Sequence, residues 1–353
     1  MKTKRATAKD VAELVGCSVS AVSLVVSGRT EGRINNDLRD RIEAAVQELD
    51  YRPNQSARTL ATRSPSNIAF VCPDIRNPFF GEVFHGLSAS VAAQYRVQLR
   101  VPSSGLDFGI DVVRDAQSEN IAGLILAAPS SGVMELFRST CPTVLLEAPD
   151  QTLGLPCVDL NLESAAKGLA QHLLAMGHRR VGYLSYQPKK GTFVVRRHHL
   201  EVAMQEGGAH LLDAIASAGE LTIEEGEARF FESWKHWKEN GVTAVVAADD
   251  ILAYGAIRAA KKAGLHIPGQ LSVAGFNDIP FSALIAPPLT SVDFRAYELG
   301  QAAGAAMINT INGRATNLTV VETELHLRAS TGAATPLKGP KRRASGTSSA
   351  PAV

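Results

Sequence analysis

The sequence predicts an α/β protein, with a small all-α N-terminal head followed by two doubly wound parallel-sheet lobes. Three observations carry that expectation. Residues 8–50 place apolar side chains at helical spacing. From Asn67 onward, short apolar runs alternate with helical patterns, as in parallel strands covered on both faces. At least seven such units over about 265 residues are too many for one lobe.

The bulk properties fit a large globular chain. Its 353 residues are 45% hydrophobic and 20% charged. No apolar run is long enough to span a bilayer, and the basic "MKTKRATAKD" lacks the apolar stretch of an export signal. A cytoplasmic protein without a membrane partner is expected. Cys17, Cys72, Cys141 and Cys157 form no CxxC pair and no metal-like spacing. They read as buried free thiols in a reducing compartment, with no metal and no cofactor.

The head, residues 1–50, reads as three short helices. Ala8–Val15 sets Val11, Ala12, Leu14 and Val15 on one side. After Gly16, Ser18 can cap a second helix through Val26, and Asn35 can cap a third. Asp37 then lies in a first turn, where the helix dipole favours an anion. The third helix carries Leu38, Ile42, Ala45, Val46 and Leu49 at helical spacing.

The second helix, within "CSVSAVSLVVSG", is short, small and uncharged. Val19, Val22 and Val26 are expected to seal against Val11, Leu14 and the third helix. Ser20, Ala21 and Leu24 fall on another face. Two short helices joined through a glycine turn form a helix-turn-helix. A helix entering a major groove must be thin on its leading side, and small Ser and Ala permit that approach. Phosphate contacts elsewhere can then supply the positioning.

Residues 51–66, within "YRPNQSARTLATRSPSN", lack a strong apolar face and hold two prolines, so a linker is expected. The core, residues 67–332, contains the runs "NIAFVC", "VQLRV", "IAGLILAA", "TVLLEA", "RVGYLSY", "TAVVAA" and "LSVAGF". Helical patterns lie between most of them, including Ser164–Met176 and Asp250–Ala263. The tail, residues 333–353, has almost nothing to bury and is expected to be disordered.

Charge is unevenly divided along the chain. Residues 1–63 hold eleven Lys/Arg and eight Asp/Glu, and residues 333–353 hold four basic residues and no acid. The overall charge is only +1, so the middle is acidic. A basic head on an acidic body suits a polyanionic partner.

Enzyme signatures are missing from the sequence. It contains no GxGxxG, P-loop or GxSxG motif. Asp249 and Asp250 are adjacent, and neighbours at a strand end point different ways, which argues against a shared acid–base site. His198 and His199 beside Arg196 and Arg197 lack metal spacing, and most of these four are expected on a solvated helix surface.

The chain resembles the LacI family of bacterial transcription regulators over residues 7–331. The resemblance rests on "ATAKDVAELVGCSVSAVSLVVSG", "LRDRIEAAVQELDYRPNQSARTLA", "CPDIRNPFFGEVFHGL", "HLLAMGHRRVGYL", "AADDILAYGAIRAAKKAGLHIPGQLSVAGFND" and "PPLTSVDF". It implies a homodimeric repressor binding a symmetric double-stranded operator, under control of a small effector such as a sugar. It also implies an N-lobe of about 67–159 and 294–322, and a C-lobe of about 160–293 and 323–332. Val19, Ser20, Ala21 and Leu24 would face bases. Family members commonly have Thr where Ala21 stands and Arg where Leu24 stands, so the operator is expected to be atypical.

Within the resemblance, residues 54–61 match a hinge helix, with Asn54, Ala57 and Leu60 at the DNA. Some eight residues cannot hold a helix alone in water, so folding would wait for the partner chain and DNA. Leu60 would wedge into the minor groove. The resemblance places Phe79, Glu147, Arg196, Leu221, Asp249 and Asn277 around an effector cleft at strand ends. Arg196 or ligand hydroxyls are expected to compensate the buried Asp249. Asp249 and Asn277 exchange the family's frequent amide and acid, and Leu221 replaces a frequent aromatic. Lys189 and Lys190 in "PKK" could attract an anion, but a neutral sugar is expected. A sugar-binding receptor for transport, or a sugar-modifying enzyme fused to a DNA-binding head, would share this core.

Overall fold

The computed structural model describes residues 6–26, 30, 33–51, 65–101, 114–116, 118–129, 141–148, 154–186, 191–314 and 318–335. The chain divides into two compact units, Met1–Pro65 and Ser66–Val353.

The first unit holds three helices, α1 (Ala8–Val15), α2 (Val19–Val26) and α3 (Asn36–Glu48). Thr7 and Asp10 form a capping box on α1, and Gly16 ends it at φ 72°. That left-handed glycine makes the tight turn into α2, where Ser18 Oγ accepts from Ala21 N at 3.1 Å. Asn35 Oδ1 accepts from Leu38 N at 2.8 Å and caps α3. Arg41 donates to Val15 O at 2.6 Å, satisfying a carbonyl at the end of α1. The small core joins Val11, Ala12, Val15, Ala21, Val22, Val25, Ile42 and Ala45. Leu14, expected inside, is instead exposed. Val26 packs half-buried against this core as expected, Val19 is exposed, and Val25 is buried as well.

The second unit contains two six-stranded sheets. The first uses β1 (Asn67–Val71), β2 (Arg96–Arg100), β3 (Gly123–Ala127), β4 (Thr143–Leu146), β5 (Cys157–Leu160) and β11 (Thr319–Val321). Their order is β11-β5-β4-β3-β1-β2, parallel throughout. The second uses β6 (Arg180–Leu184), β7 (His210–Asp213), β8 (Ala244–Ala247), β9 (Ser272–Asn277), β10 (Thr290–Asp293) and β12 (Glu324–His326). Their order is β12-β10-β9-β8-β6-β7, and only β12 pairs antiparallel. Below, "N-lobe" and "C-lobe" mean these two sheets with the helices packed on them.

Helices cover the sheets as parallel crossovers require. α4 (Pro78–Val91) and α9 (Ala296–Ile311) pack together in the N-lobe. α5 (Leu162–Ala175) packs on α6 (Thr192–Glu206), and α7 (Ile223–Glu239) on α8 (Asp250–Lys262), in the C-lobe. α4 and α9 approach closely because Gly86 and Gly300 face the partner backbone, leaving no room for a Cβ. The central strands β3, β4, β8 and β9 are buried along their whole length. Their largely apolar runs, rich in Val, Leu and Ala, are what a sheet covered on both faces demands.

The chain passes between lobes at three places: after β5, after β10 and between β11 and β12. Asn161 on the first crossover donates to Glu322 on the third at 3.0 Å. Arg295 on the second donates to Glu324 at 2.6 Å. Cys72 and Cys157 are buried, but Cys17 and Cys141 are only half-buried, against the expectation for all four.

Candidate functional site

Strand ends from both lobes meet across a cleft, where α/β folds of this kind bind ligands. Several residues here hold positive φ, including Glu147 at 49°, Asn277 at 107° and Arg295 at 49°. Such strain in non-glycine residues concentrates at functional sites.

Asp249 follows β8 and caps α8, its Oδ1 accepting from Ile251 N at 2.8 Å. Its Oδ2 accepts from Asn277 Nδ2 at 2.6 Å and from Asn77 Nδ2 at 3.1 Å. Asn77 belongs to the N-lobe, where its own Oδ1 caps α4 by accepting from Phe79 N at 3.1 Å. Burial raises the Asp249 pKa, while these donors and the Arg196 charge oppose the rise. The neighbouring Asp250 turns the other way. It accepts from Ser282 Oγ at 2.5 Å and Ser291 Oγ at 2.6 Å. The two carboxyls therefore work in separate networks, as expected of adjacent residues at a strand end.

Glu147 lies just past β4, buried. Thr192 Oγ1, at the start of α6 in the other lobe, donates to it at 3.5 Å. Burial pushes its pKa up to about 7, with the Arg196 guanidinium opposing the rise.

Arg196 is fully buried on α6. Its guanidinium carbon sits 4.8 Å from the Phe193 ring, 5.1 Å from Phe276 and 4.5 Å from Phe294. It donates to the Ala248 carbonyl. Its Nε is buried without a hydrogen bond among the described residues. Burial lowers its pKa, opposed by the nearby Tyr183, Glu147 and Asp249. Amide groups make the hydrogen bonds to Asp249, and Arg196 compensates it through charge alone. The guanidinium has turned to its aromatic cage and to a carbonyl, and acts on Asp249 only through its charge. Of the neighbouring polar residues expected on a solvated surface, only His198 is exposed. Arg197 pairs with Asp213 at 2.7 Å and Glu201 at 2.8 Å.

Phe79 is buried edge-on to Phe80 and Phe294. With Asn277, Asp278, Asp293, Arg295 and Tyr297 it lines a cavity of about 190 Å³. Leu221 is half-buried and packs on the C-lobe cluster of Phe230, Trp237 and Leu252. A larger cavity of about 540 Å³ lies within the C-lobe, among Tyr183, Tyr186, Phe193, Arg197, Asp213 and Ile215. The cleft, unlike this larger cavity, gathers buried charged residues from both lobes: Glu147 from one, Arg196 and Asp249 from the other.

Sequence reasoning missed Asn77, Thr192, Phe193, Phe276 and Phe294. A signal for Asn77 was present, because Asn before Pro marks a helix cap with a free amide. Thr192 and the three rings become neighbours of Glu147 and Arg196 only through folding.

In the head, Val19, Ser20 and Ser23 are exposed along α2 and Leu24 is half-buried. Ala21, expected to face bases, is only 8% exposed and belongs to the head core. At 100° per residue it lies beside Val22 and Val25, so the thin outer face runs through Ser23 instead. Asn54, Ala57, Leu60, Lys189, Lys190 and the tail beyond residue 335 lie outside the described residues.

A helix-turn-helix unit with a thin neutral face, followed in one chain by a two-lobed binding-protein fold, defines a DNA-binding regulator. Residues 7–54 match the family of bacterial regulatory proteins, lacI family. Residues 170–331 match the periplasmic binding protein-like domain. The chain belongs to the LacI family of transcriptional regulators. It is 26% identical to catabolite control protein A of Priestia megaterium over 327 residues, covering 90% of this chain and 96% of the relative. Its fold is similar to that of the Lac repressor dimer bound to operator and the anti-inducer ONPF. There the TM-score is 0.79 at 23% identity, over 94% of this chain and 100% of the other. The transcriptional regulator CelR in complex with cellobiose is similar with a TM-score of 0.66 at 24% identity, over 92% and 100% of the two chains.

Proposed function

We propose that the chain is a homodimeric repressor that binds a two-fold symmetric operator, and that a small polyhydroxylated effector in the cleft controls its DNA affinity. The observation that carries the effector half is unspent hydrogen-bonding capacity beneath the cleft. Among the described residues, Glu147 has one long contact from Thr192, and Arg196 keeps a buried Nε without a hydrogen-bond partner. Buried polar groups left this way are satisfied by a ligand or by water. Hydroxyls suit both, since each can donate to the carboxylate and accept from the guanidinium. A neutral sugar or sugar derivative is the class we favour. Phe79, Asp249 and Asn277 complete the wall, with Leu221 at its C-lobe side.

The DNA half rests on the exposed neutral face of α2. One helix reads too few bases alone, so two heads on an inverted repeat supply the remainder. In the hinge, Asn54 and Ala57 lie along the DNA and Leu60 wedges a base step. Asp249 and Asp250 serve separate networks, which supports binding without catalysis. No helix among the described residues is long and apolar enough to cross a membrane. A cytoplasmic regulator fits that chain.

The test is a thermal-shift screen of sugars, sugar acids, sugar phosphates and purines, paired with selection from randomised DNA. A ligand at about 100 times its dissociation constant adds roughly 2.7 kcal/mol of stability. With the ligand found, calorimetry should show weakened binding in Arg196→Ala and Asp249→Ala. Unchanged affinity in both moves the site elsewhere. Recovery of asymmetric or non-specific DNA alone overturns the operator reading. Leu60→Ala should weaken operator binding and leave effector affinity unchanged.

A further inference from the structure

Asp249 is nearly saturated by its own protein. An ionised carboxylate offers about four acceptor positions. Ile251 N, Asn277 Nδ2 and Asn77 Nδ2 take three of them. Ile251 and Asn277 belong to the same lobe as Asp249 and move with it. Among the described residues, Asn77 alone hydrogen-bonds to it from the other lobe. The Asn77 side chain is bound at both ends, since its oxygen caps α4 while its nitrogen holds Asp249. Two helix N-caps from opposite lobes are thus joined side chain to side chain.

The other contact across the cleft described above, Thr192 to Glu147, is longer at 3.5 Å. The first and third crossovers are tied by Asn161–Glu322, and the second is tied to the start of β12 by Arg295–Glu324. Asn77–Asp249 is buried and charge-assisted, so it is worth more than a surface contact. Opening the lobes breaks it and exposes a buried carboxylate and amide to water. A ligand hydroxyl arriving at Asp249 takes the fourth position or displaces Asn77.

We propose that Asn77 is the interlobe latch of the cleft, a positioning residue whose amide competes with a ligand hydroxyl for Asp249. The competition rests on the effector reading above, whereas the latch itself does not. A regulator built this way couples lobe spacing to whichever donor Asp249 holds.

The experiment is hydrogen–deuterium exchange by mass spectrometry on the full chain without added ligand, reading peptides over 143–148 and 192–200. Asn77→Ser keeps a good helix cap but is too short to span to Asp249. Asn77→Asp also caps α4, and sets a second carboxyl against Asp249. Both should speed exchange in these peptides by about tenfold, as loss of one hydrogen bond to a charged group allows. Asn77→Asp combined with Asp249→Asn restores a donor–acceptor pair, with the Asn277 amide turned so that its oxygen meets the new Nδ2, and should return exchange to near the wild-type rate. Melting curves on the same samples separate opening from unfolding. If Asn77→Asp fails to fold, Asn77→Ser and the exchanged pair still decide. Wild-type exchange in Asn77→Ser, or an exchanged pair as fast as Asn77→Asp, overturns the latch. Because no ligand is added, a failed sugar screen leaves this result standing and a failed latch leaves the screen standing.

Discussion

The Arg196 guanidinium lies 4.5 Å from the Phe294 ring, and Phe294 sits on a crossover between the lobes. The charge that faces Glu147 and Asp249 is therefore seated against the strand joining the two halves of the cleft. Phe294 also packs on Phe276 and Phe79. Phe294→Ala should cost about 3–5 kcal/mol in chemical denaturation, through lost burial and an unfilled cavity. Phe294→Leu should cost clearly less. Equal small losses in both would mean that the ring does not support Arg196.

Stability should fall as pH rises toward neutrality. The folded-state pKa of Glu147 is raised from 4.5 to about 7, so its contribution is fully present below about 4.5 and lost as pH passes about 7. Burial raises Asp159, Asp249 and Asp250 in the same direction. Urea titrations across this range should show the decline. Glu147→Gln should flatten it by up to about 3 kcal/mol. A slope unchanged by that substitution would show that Glu147 titrates normally.

A separate acid limb arises from two histidines that hold the segment before the tail. His178 lies 2.8 Å from Thr243 Oγ1 and 3.0 Å from the Gly332 carbonyl, and His172 lies 2.8 Å from Thr331 Oγ1. Burial lowers both pKa values below the ordinary 6.5. A depressed histidine contributes stability above its unfolded value, and that stability is lost as pH falls through the folded one. Limited proteolysis near residues 328–334 should accelerate as pH falls below the ordinary histidine value of 6.5. The double variant His172→Gln with His178→Gln should remove that pH dependence.

In the head, Ser20→Ala and Ser23→Ala should alter DNA selectivity with little effect on melting, because both side chains are exposed. Ala21→Gln should instead destabilise the head by about 1–3 kcal/mol, since the site is packed. Selection from randomised DNA and calorimetry on the same variants separate the two effects. Stability unaffected by Ala21→Gln would restore Ala21 to the outer face.

Leu24→Arg introduces a planar fork that can pair with guanine O6 and N7. The preferred half-site should gain guanine at one position. Uniformly tighter binding to all sequences would instead mark a phosphate contact.

The sequence alone determined what depends on neighbours along the chain. Ser18 and Asn35 announced helix starts because a cap bonds a backbone amide three residues away. The runs at Asn67–Cys72 and Thr243–Ala248 announced buried strands because both of their faces must be apolar. The helix expected over Ser164–Met176 formed as Leu162–Ala175, shifted by the cap at Asn161. The weaker strands β7, β11 and β12 left little signal, because short edge strands bury few side chains and depend on their partners. Ala21 was misjudged because an eight-residue helix of small residues hardly distinguishes its two faces; packing against Val11 and Ile42 decided the rotation. In the cleft, the sequence could name Arg196, Glu147, Asp249 and Asn277 but not their partners. Asn77 lies 172 positions before Asp249, and no local rule reaches that far. Whether Arg196 faced the acid or an aromatic cage was decided by rings from α6, β9 and a crossover, which only the folded chain brings together.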